Sequence, residues 1–317
     1  MDLIYTNAQR VDIGVISAYE FDLSFGAEEN DFEMTIGAGE ASIESGAYIY
    51  IEGTEYGGIV DGIKASTNGE TVTYFGRTWQ GILNSKVIEP DSGADHKIVS
   101  DEANIVLSNL IGLFGLWDLM YVDESESGID ISNYKFARYC KGYDGIRAML
   151  SAYGAKLKIN WSDNFLHLWV EPIVDYATNP IDGDVAPLSV ERHDKKVNHL
   201  ICLGKGELAA REVIHLYIDQ NGNVSNTRYF TGLDDITEIY DNSNSEDLRA
   251  DGIKKLKELR SNDKAEISLP ESEKSYDIGD IVGAMEIRTG VRVSKPVTQK
   301  IVKINNGAIS TEYKTGG

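Results

Sequence analysis

The stretch from Ser45 to Asn84 constrains the fold most, because it reads as three short strands closed by a Gly-Arg exit. In Gly46 to Glu52, Tyr48 and Tyr50 alternate with Ala47, Ile49 and Ile51, the period-two pattern of a half-buried strand. Gly57 to Ala65 forms a second run and leads into Ser66-Thr67-Asn68-Gly69. Asn-Gly between β-rich runs marks a hairpin, since both central residues of a type I′ turn need positive φ. Thr71 to Phe75 is the third strand and leaves through Gly76-Arg77-Thr78-Trp79.

The same order returns at the other end of the chain. Tyr276-Asp277-Ile278-Gly279-Asp280-Ile281-Val282-Gly283 supplies a glycine and a strand. Val297 to Ile304 then enters Asn305-Asn306-Gly307, and Ala308 to Tyr313 leaves it. Glycine, strand, connection, strand, Asn-Gly turn, strand: the two blocks form a structural pseudo-repeat of low identity. Two small antiparallel β-barrels in one subunit follow as an expectation.

Composition narrows the class. At 317 residues the chain has room for two to four domains, and 42% hydrophobic with 26% charged residues is the balance of a soluble globular protein. The net charge of -21 argues against a surface that holds nucleic-acid backbones by counterion release. It is compatible with a passage past which nucleic acid slides. Met1-Asp2-Leu3-Ile4-Tyr5 lacks the basic start and apolar run of a secretory signal, and no stretch reaches the length of a membrane span. Only Cys140 and Cys202 are present, so no disulfide framework is expected.

Along the chain, Leu3-Ile4-Tyr5, Val11 to Ile16 and Asp31 to Ile36 alternate as strands, while Phe21 to Asn30 reads as an acidic loop or ragged edge. Glu89 to Asp95 is a boundary. A helix capped by Ser100 or Asp101 carries Ala103, Val106, Leu107, Leu110 and Ile111 on one stripe. Tyr134 to Cys140 is a strand, a second helix runs from about Asp144 to Tyr153 and stops at Gly154, and a hairpin follows around Ser162-Asp163-Asn164. Pro172, Pro180 and Pro187 punctuate a connection to strands at Leu188 to Arg192 and Val197 to Leu203. Arg211 to Ile218 pairs with Val224 to Tyr229 across Asn221-Gly222, and a helix opens with the capping box Ser243-Asn244-Ser245-Glu246 and ends before Asn262. Lys264 to Leu269 is a further strand. The fold class is α+β, mainly β: two small antiparallel β-barrels in pseudo-repeat with inserted α+β modules. The domains are 1–95 (first tube-like barrel), 96–175 (inserted module), 176–262 (second module, with long hairpin and helix) and 263–317 (second barrel, open to strands from 186–204).

No residue set stands out as catalytic, cofactor-binding or metal-binding. His193, His199, Cys202 and His215 come nearest to a metal set, yet an odd spacing within one strand puts His199 and Cys202 on opposite faces. Asp219-Gln220-Asn221-Gly222-Asn223 begins like a calcium loop, but its glycine is two places early and Phe230 stands where a bidentate carboxylate belongs. Gly204-Lys205-Gly206 is too short to cradle phosphate and fits a turn. Acidic pairs such as Glu28-Glu29 and Asp234-Asp235 with Glu238 fit solvated faces in so acidic a chain. Nucleophile-elbow and His-Glu-x-x-His motifs are absent. Trp79, Trp117, Trp161 and Trp169 suit a core, though Trp161 and Trp169 share a hairpin and leave a sugar-stacking surface open.

Taken in order, several segments resemble the tail hub proteins of long-tailed bacteriophages, the family of the central baseplate hub of contractile tails and the N-terminal part of siphophage tail-associated proteins. They are Gly57 to Ile63 followed by Val72 to Arg77, Gly204-Lys205-Gly206-Glu207 with Arg211-Glu212-Val213, and Tyr276 to Val282 ahead of the terminal hairpin. The resemblance spans essentially the whole chain. It implies a structural, non-enzymatic protein at the virion tail tip, made in the bacterial host cytoplasm. A homotrimer with two similar barrels per subunit would adapt a sixfold tube to a threefold tip and let DNA pass. The implied partners are the tail tube or distal tail protein, the tape measure protein, and a fibre, spike or cell-wall hydrolase as separate chains. Specific nucleic-acid binding, a membrane segment and a cofactor are not expected. Some members continue into an enzymatic or fibre domain, and none is expected where this sequence stops at Gly317. Two other classes stay open: a host-surface carbohydrate-binding module built on Trp161, Trp169 and nearby tyrosines, and a cell-wall peptidase.

Overall fold

Alternation of apolar and polar side chains builds most of this molecule, and where it runs unbroken the strands are long. The computed structural model describes residues 1–66, 69–178, 181–182, 188–191, 195–260, 264–267, 275–286 and 288–316. Asn68, Pro180, Pro187, His193, Asn262 and the end of the Lys264 to Leu269 strand lie outside these. Contacts divide the chain into two units, one of Met1–Pro187, Ile267–Ala284 and Ser294–Gly316, the other of Leu188–Glu266 and Met285–Val293.

The first unit is organised by a single large sheet. Its N-terminal strands are β1 (Leu3–Thr6), β2 (Asp12–Ile16), β3 (Tyr19–Gly26), β4 (Asp31–Gly37), β5 (Tyr48–Tyr50), β6 (Gly57–Ala65) and β7 (Thr71–Thr78). Across the sheet the order is Ile181–Asp182, Ile281–Glu286, Val291–Asn305, β3, β4, β7, β6, β5, β1, β2, and Ala308–Thr315 pairs with Val291–Asn305. Two closed barrels, one at each end of the chain, are therefore not what forms. The sheets are open, and the C-terminal hairpin continues the N-terminal sheet through the Gln299↔Gly26 to Asn305↔Glu20 register.

The reason lies in β3. The sequence reading places an acidic loop at Phe21 to Asn30, but Phe21, Leu23 and Phe25 are fully buried and alternate with exposed Glu20 and Asp22. The acidic residues are the outer face of a central strand. With β4 on one edge, β3 leaves its other edge for Val291–Asn305, whose Val302 and Ile304 enter the same core. The C-terminal turn forms as expected, with Asn306 at φ 48° and Gly307 at φ 86°.

β5 is buried on both faces, where the sequence suggests one. Tyr48 and Tyr50 belong to one core and Ala47, Ile49 and Ile51 to the other. The second of these cores is lined by the strands just described. The first holds Trp79, α1 (Trp79–Asn84), α2 (Ala103–Leu113), α3 (Gly142–Ala152) and the hairpin Ala155–Ser162/Phe165–Pro172. Trp79 stacks on Trp161 with ring centres 5.1 Å apart, and Tyr48 meets Trp79 edge-on at 5.5 Å. Helix α1 went unread: Thr78 Oγ accepts from Gly81 N at 3.2 Å and starts it, and the run is too short to show a helical period. Gly81 is required, because a Cβ there would stand 2.0 Å from the Asn30 carbonyl oxygen.

Helix α2 is capped by Glu102 rather than Ser100 or Asp101. Its carboxylate accepts from Asn104 N at 2.7 Å and from Ser127 N at 2.7 Å, so it ties a distant loop to the helix start. Gly115 at φ 68° ends that helix and Gly154 at φ 68° follows α3. Asp163 and Asn164, both at positive φ, turn the hairpin. The strand expected at Tyr134 to Cys140 is split into Asp130–Lys135 and Cys140–Lys141, with Tyr139 at φ 53° between them.

In the second unit a four-stranded sheet runs Val224–Ser225, Val213–Ile218, His199–Leu203, Thr237–Asp241, the last pair parallel. Helix α4 (Leu248–Arg260) covers one face, setting Leu248 and Leu256 on Leu200, Cys202, Leu216 and Ile218. Its start falls after the expected capping box: Asp247 Oδ1 accepts from Ala250 N at 2.9 Å.

Candidate functional site

Alternation on the first unit's sheet sends one set of side chains into the core and the other to an outer face. Across the Val291–Asn305, β3, β4 and β7 strands that face reads Lys303, Asp22, Glu33, Phe75 in one row and Ile301, Ser24, Asp31, Arg77 in the next. Asp22 stands directly opposite Glu33, a like-charge pair that weakens a sheet. Asp31 has its carboxyl raised above the usual range, first by burial and then by Glu29 and Glu33. A bulge in β6 turns Asp61 towards Arg77, which grips it with Nε to Oδ2 at 2.7 Å and Nη2 to Oδ1 at 2.8 Å. With its one guanidinium engaged, the face carries an excess of acid and repels phosphate.

The sheet ends at β2, which pairs only with β1 among the described strands. Val11, Ile13 and Val15 project from it at 59%, 55% and 54% exposure. Read from sequence, these are the apolar positions of an alternating strand and belong in a core. In the structure the inward side of β2 is Ile16 with Gly14, whose missing side chain makes room for the Tyr5 ring, and Asp12, which accepts from the Tyr50 hydroxyl at 2.8 Å. A free edge with exposed β-branched residues and no lysine or proline is an unprotected pairing surface.

Behind the sheet, Lys300 of the C-terminal strand is 2% exposed on its side chain. Its Nζ lies 2.6 Å from Glu55 Oε1 and 5.6 to 5.9 Å from the rings of Tyr56, Tyr313 and Phe25. Burial disfavours the charge, but Glu55 and the tyrosines outweigh it and hold the ammonium well above its ordinary pKa. A second lysine behaves alike: Lys156 reaches Asp277 at 2.7 Å and Asp280 at 2.8 Å, and Lys158 shares Asp277 at 2.8 Å. Both lysines tie late segments of the chain to early ones. Sequence alternation alone flags Lys300, since it shares parity with Val302 and Ile304.

The residues singled out in the sequence scatter. Trp161 is buried, and Trp169 lies opposite Lys158 on the other face of the same hairpin with Nε1 donating to Glu171 at 2.7 Å. The two therefore make no common stacking surface, and the carbohydrate-binding alternative loses its platform. Asp219 Oδ1 accepts from Asn221 N and Asn223 N, each at 2.8 Å, so that carboxylate closes the turn. Gly206 at φ 97° lies in a turn between strands. Asp234 pairs with Lys195 and Glu28 with Lys314. Cys202 packs against α4, while His199 faces away from that helix and sets its Nε2 2.9 Å from His215 Nδ1. Both cysteines are free thiols. Among the described residues no helix is long and apolar enough to cross a membrane.

Neither a family model nor a curated protein matches this sequence. Solved structures match its fold over its full length. The 43 kDa tail protein of prophage MuSo2 from Shewanella oneidensis aligns with a TM-score of 0.57 at 15% identity, covering 100% of this chain and 98% of that one. Prophage tail protein gp18 from Listeria monocytogenes EGD-e aligns at 0.55 and 13%, covering 100% and 95%. The tail protein from Neisseria meningitidis MC58 aligns at 0.54 and 12%, covering 99% and 95%. The fold is thus one found in prophage tail proteins.

Proposed function

We propose that this chain is a structural tail protein of a phage or prophage, sitting as a homotrimeric hub at the tail tip and joining a sixfold tube to a threefold tip around a DNA passage. The observation that carries this reading is end-to-end agreement of the fold with tail proteins, with almost nothing left over on either side. Sheet topology adds support. The central β3–β4 hairpin is flanked on one side by the β6–β7 pair and on the other by Val291–Asn305/Ala308–Thr315. In this reading the two flanking hairpins are comparable units, and three subunits carry six of them.

In this reading the acidic outer face keeps passing DNA from sticking, and the β2 edge meets a neighbouring copy. The chain works by shape and contact rather than by catalysis. Tube or distal tail protein, tape measure protein and a separate fibre, spike or hydrolase are its partners. Deleting the gene tests the role: particles should lose attached, infectious tails and regain them on complementation, and mass spectrometry should find the chain in purified particles. Normal tails without it would end the proposal.

A further inference from the structure

Three Asn-Gly pairs stand in the chain, at Asn68-Gly69, Asn221-Gly222 and Asn306-Gly307, and the sequence does not rank them. In such a pair the glycine nitrogen, with no Cβ beside it, can attack the side-chain carbonyl carbon of the asparagine. The side chain must swing onto that nitrogen and the backbone between them must rotate, so the fold decides where this happens. Asn68 lies outside the described residues, and the other two pairs are held very differently.

Asn306 is clasped. Its N donates to Tyr19 O at 3.0 Å, its Oδ1 accepts from Tyr19 N at 3.1 Å, and its Nδ2 donates to Asn305 Oδ1 at 2.9 Å. Tyr19 is itself buried. The strands that meet at this turn pair from Asn305↔Ala308 to Val297↔Thr315, and the first of them also pairs with β3. Neither the side chain nor the backbone of Asn306 can move without breaking several bonds at once.

Asn221 is exposed, and among the described residues its side-chain amide has no hydrogen-bond partner. The turn hangs on one residue: Asp219 Oδ1 accepts from Asn221 N and Asn223 N, and Asp219 N donates to Asn223 O at 2.9 Å. The strand that leaves it, Val224–Ser225, pairs only as Tyr217↔Ser225 and Ile218↔Val224. Gly222 N donates to Asp219 O at 3.1 Å, and opening that one exposed bond slows attack by no more than a factor of about ten.

We propose that Asn221 is a site of spontaneous deamidation, and that the fold steers this chemistry to it and away from Asn306. Gly222 N bonds to Asn221 Cγ as the Cγ–Nδ2 bond breaks, and the amide leaves as ammonia with the proton that Gly222 N gives up, closing a succinimide ring. Water then opens the ring at either carbonyl and leaves aspartate or isoaspartate at position 221. The product places a second carboxylate two residues from Asp219, and isoaspartate adds a carbon to the backbone of the turn. The inference does not depend on the tail role and stands if that role fails.

The full chain, held folded in warm, mildly alkaline buffer, is sampled over time, digested at acid pH and mapped by mass spectrometry, with isoaspartate identified by enzymatic methylation. The Asn221 peptide should gain the mass of amide to acid at least ~10-fold faster than the Asn306 peptide, and in urea the two rates should converge as the clasp on Asn306 is lost. An Asn221 that stays intact in the folded chain while it converts in urea overturns the proposal. Equal rates for the two sites in the folded chain, or a faster Asn306, overturn it as well.

Discussion

Consider removing one end of the buried ion pair between Lys300 and Glu55. The ends are not equivalent: the lysine side chain is 2% exposed and the glutamate 23%. Glu55→Gln strands an ammonium in the core. Breaking a buried pair this way costs about 3 to 5 kcal/mol. The rings of Phe25, Tyr56 and Tyr313 still face the ammonium, each such contact being worth about 0.5 to 2 kcal/mol, so the low end applies. Lys300→Met instead leaves a carboxylate that can turn to water and fills the site with apolar atoms, so its loss is smaller than that of Glu55→Gln. The double variant should lie closer to wild type than Glu55→Gln does. Urea unfolding followed by tryptophan fluorescence, with slopes checked for constancy, gives the three differences. Glu55→Gln within ~0.5 kcal/mol of wild type, or less damaging than Lys300→Met, refutes the reasoning. The pair also sets an alkaline limit: because Lys300 has its pKa raised on folding, its contribution is complete below about pH 10 and is lost as pH climbs through the folded value.

Other outcomes follow from the same structure. Glu33→Lys replaces the like-charge pair with Asp22 by an opposite-charge pair and should stabilise by about 0.2 to 1 kcal/mol in a thermal melt. Glu102 has its pKa lowered on folding, since hydrogen bonds from Ser127 and the α2 backbone outweigh a burial effect that alone would raise it. Its stabilisation is present above the unfolded value near pH 4.3 and fades as pH drops through the folded one, and Glu102→Gln should flatten that acid limb and cost about 1 kcal/mol at pH 7. At Gly76 a Cβ would stand 1.9 Å from the Ile59 carbonyl oxygen, so Gly76→Ala should cost at least ~1 to 3 kcal/mol in chemical unfolding. Ile13→Lys protects the β2 edge and should leave the melting temperature within about 1 °C while blocking assembly into particles.

Much of the fold is legible in the sequence. β6, Ala308–Thr315 and the Ala155–Ser162/Phe165–Pro172 hairpin follow alternation and turn chemistry, and their positions are close to those expected. What alternation cannot say is which strand neighbours which. β3 was masked by acidic residues that share its outer face, and its partner positions, from Gln299↔Gly26 to Asn305↔Glu20, are far away along the chain. The same limit hid the joining of the two ends into one sheet. It also hid the exposure of Val11, Ile13 and Val15, because period two reveals two faces without revealing which is covered. The histidine pair was half visible: parity separates His199 from Cys202, while the meeting of His199 and His215 needs the register between strands.

Cryo-electron microscopy of tail particles that contain this protein tests the central claim most directly. The account predicts three copies around the axis at the tail tip, each with its C-terminal hairpin hydrogen-bonded to β3 of its own N-terminal sheet and the Asp22 and Glu33 face towards the channel. Density that places the chain elsewhere in the particle, or that shows the N- and C-terminal strands as separate barrels, would contradict it.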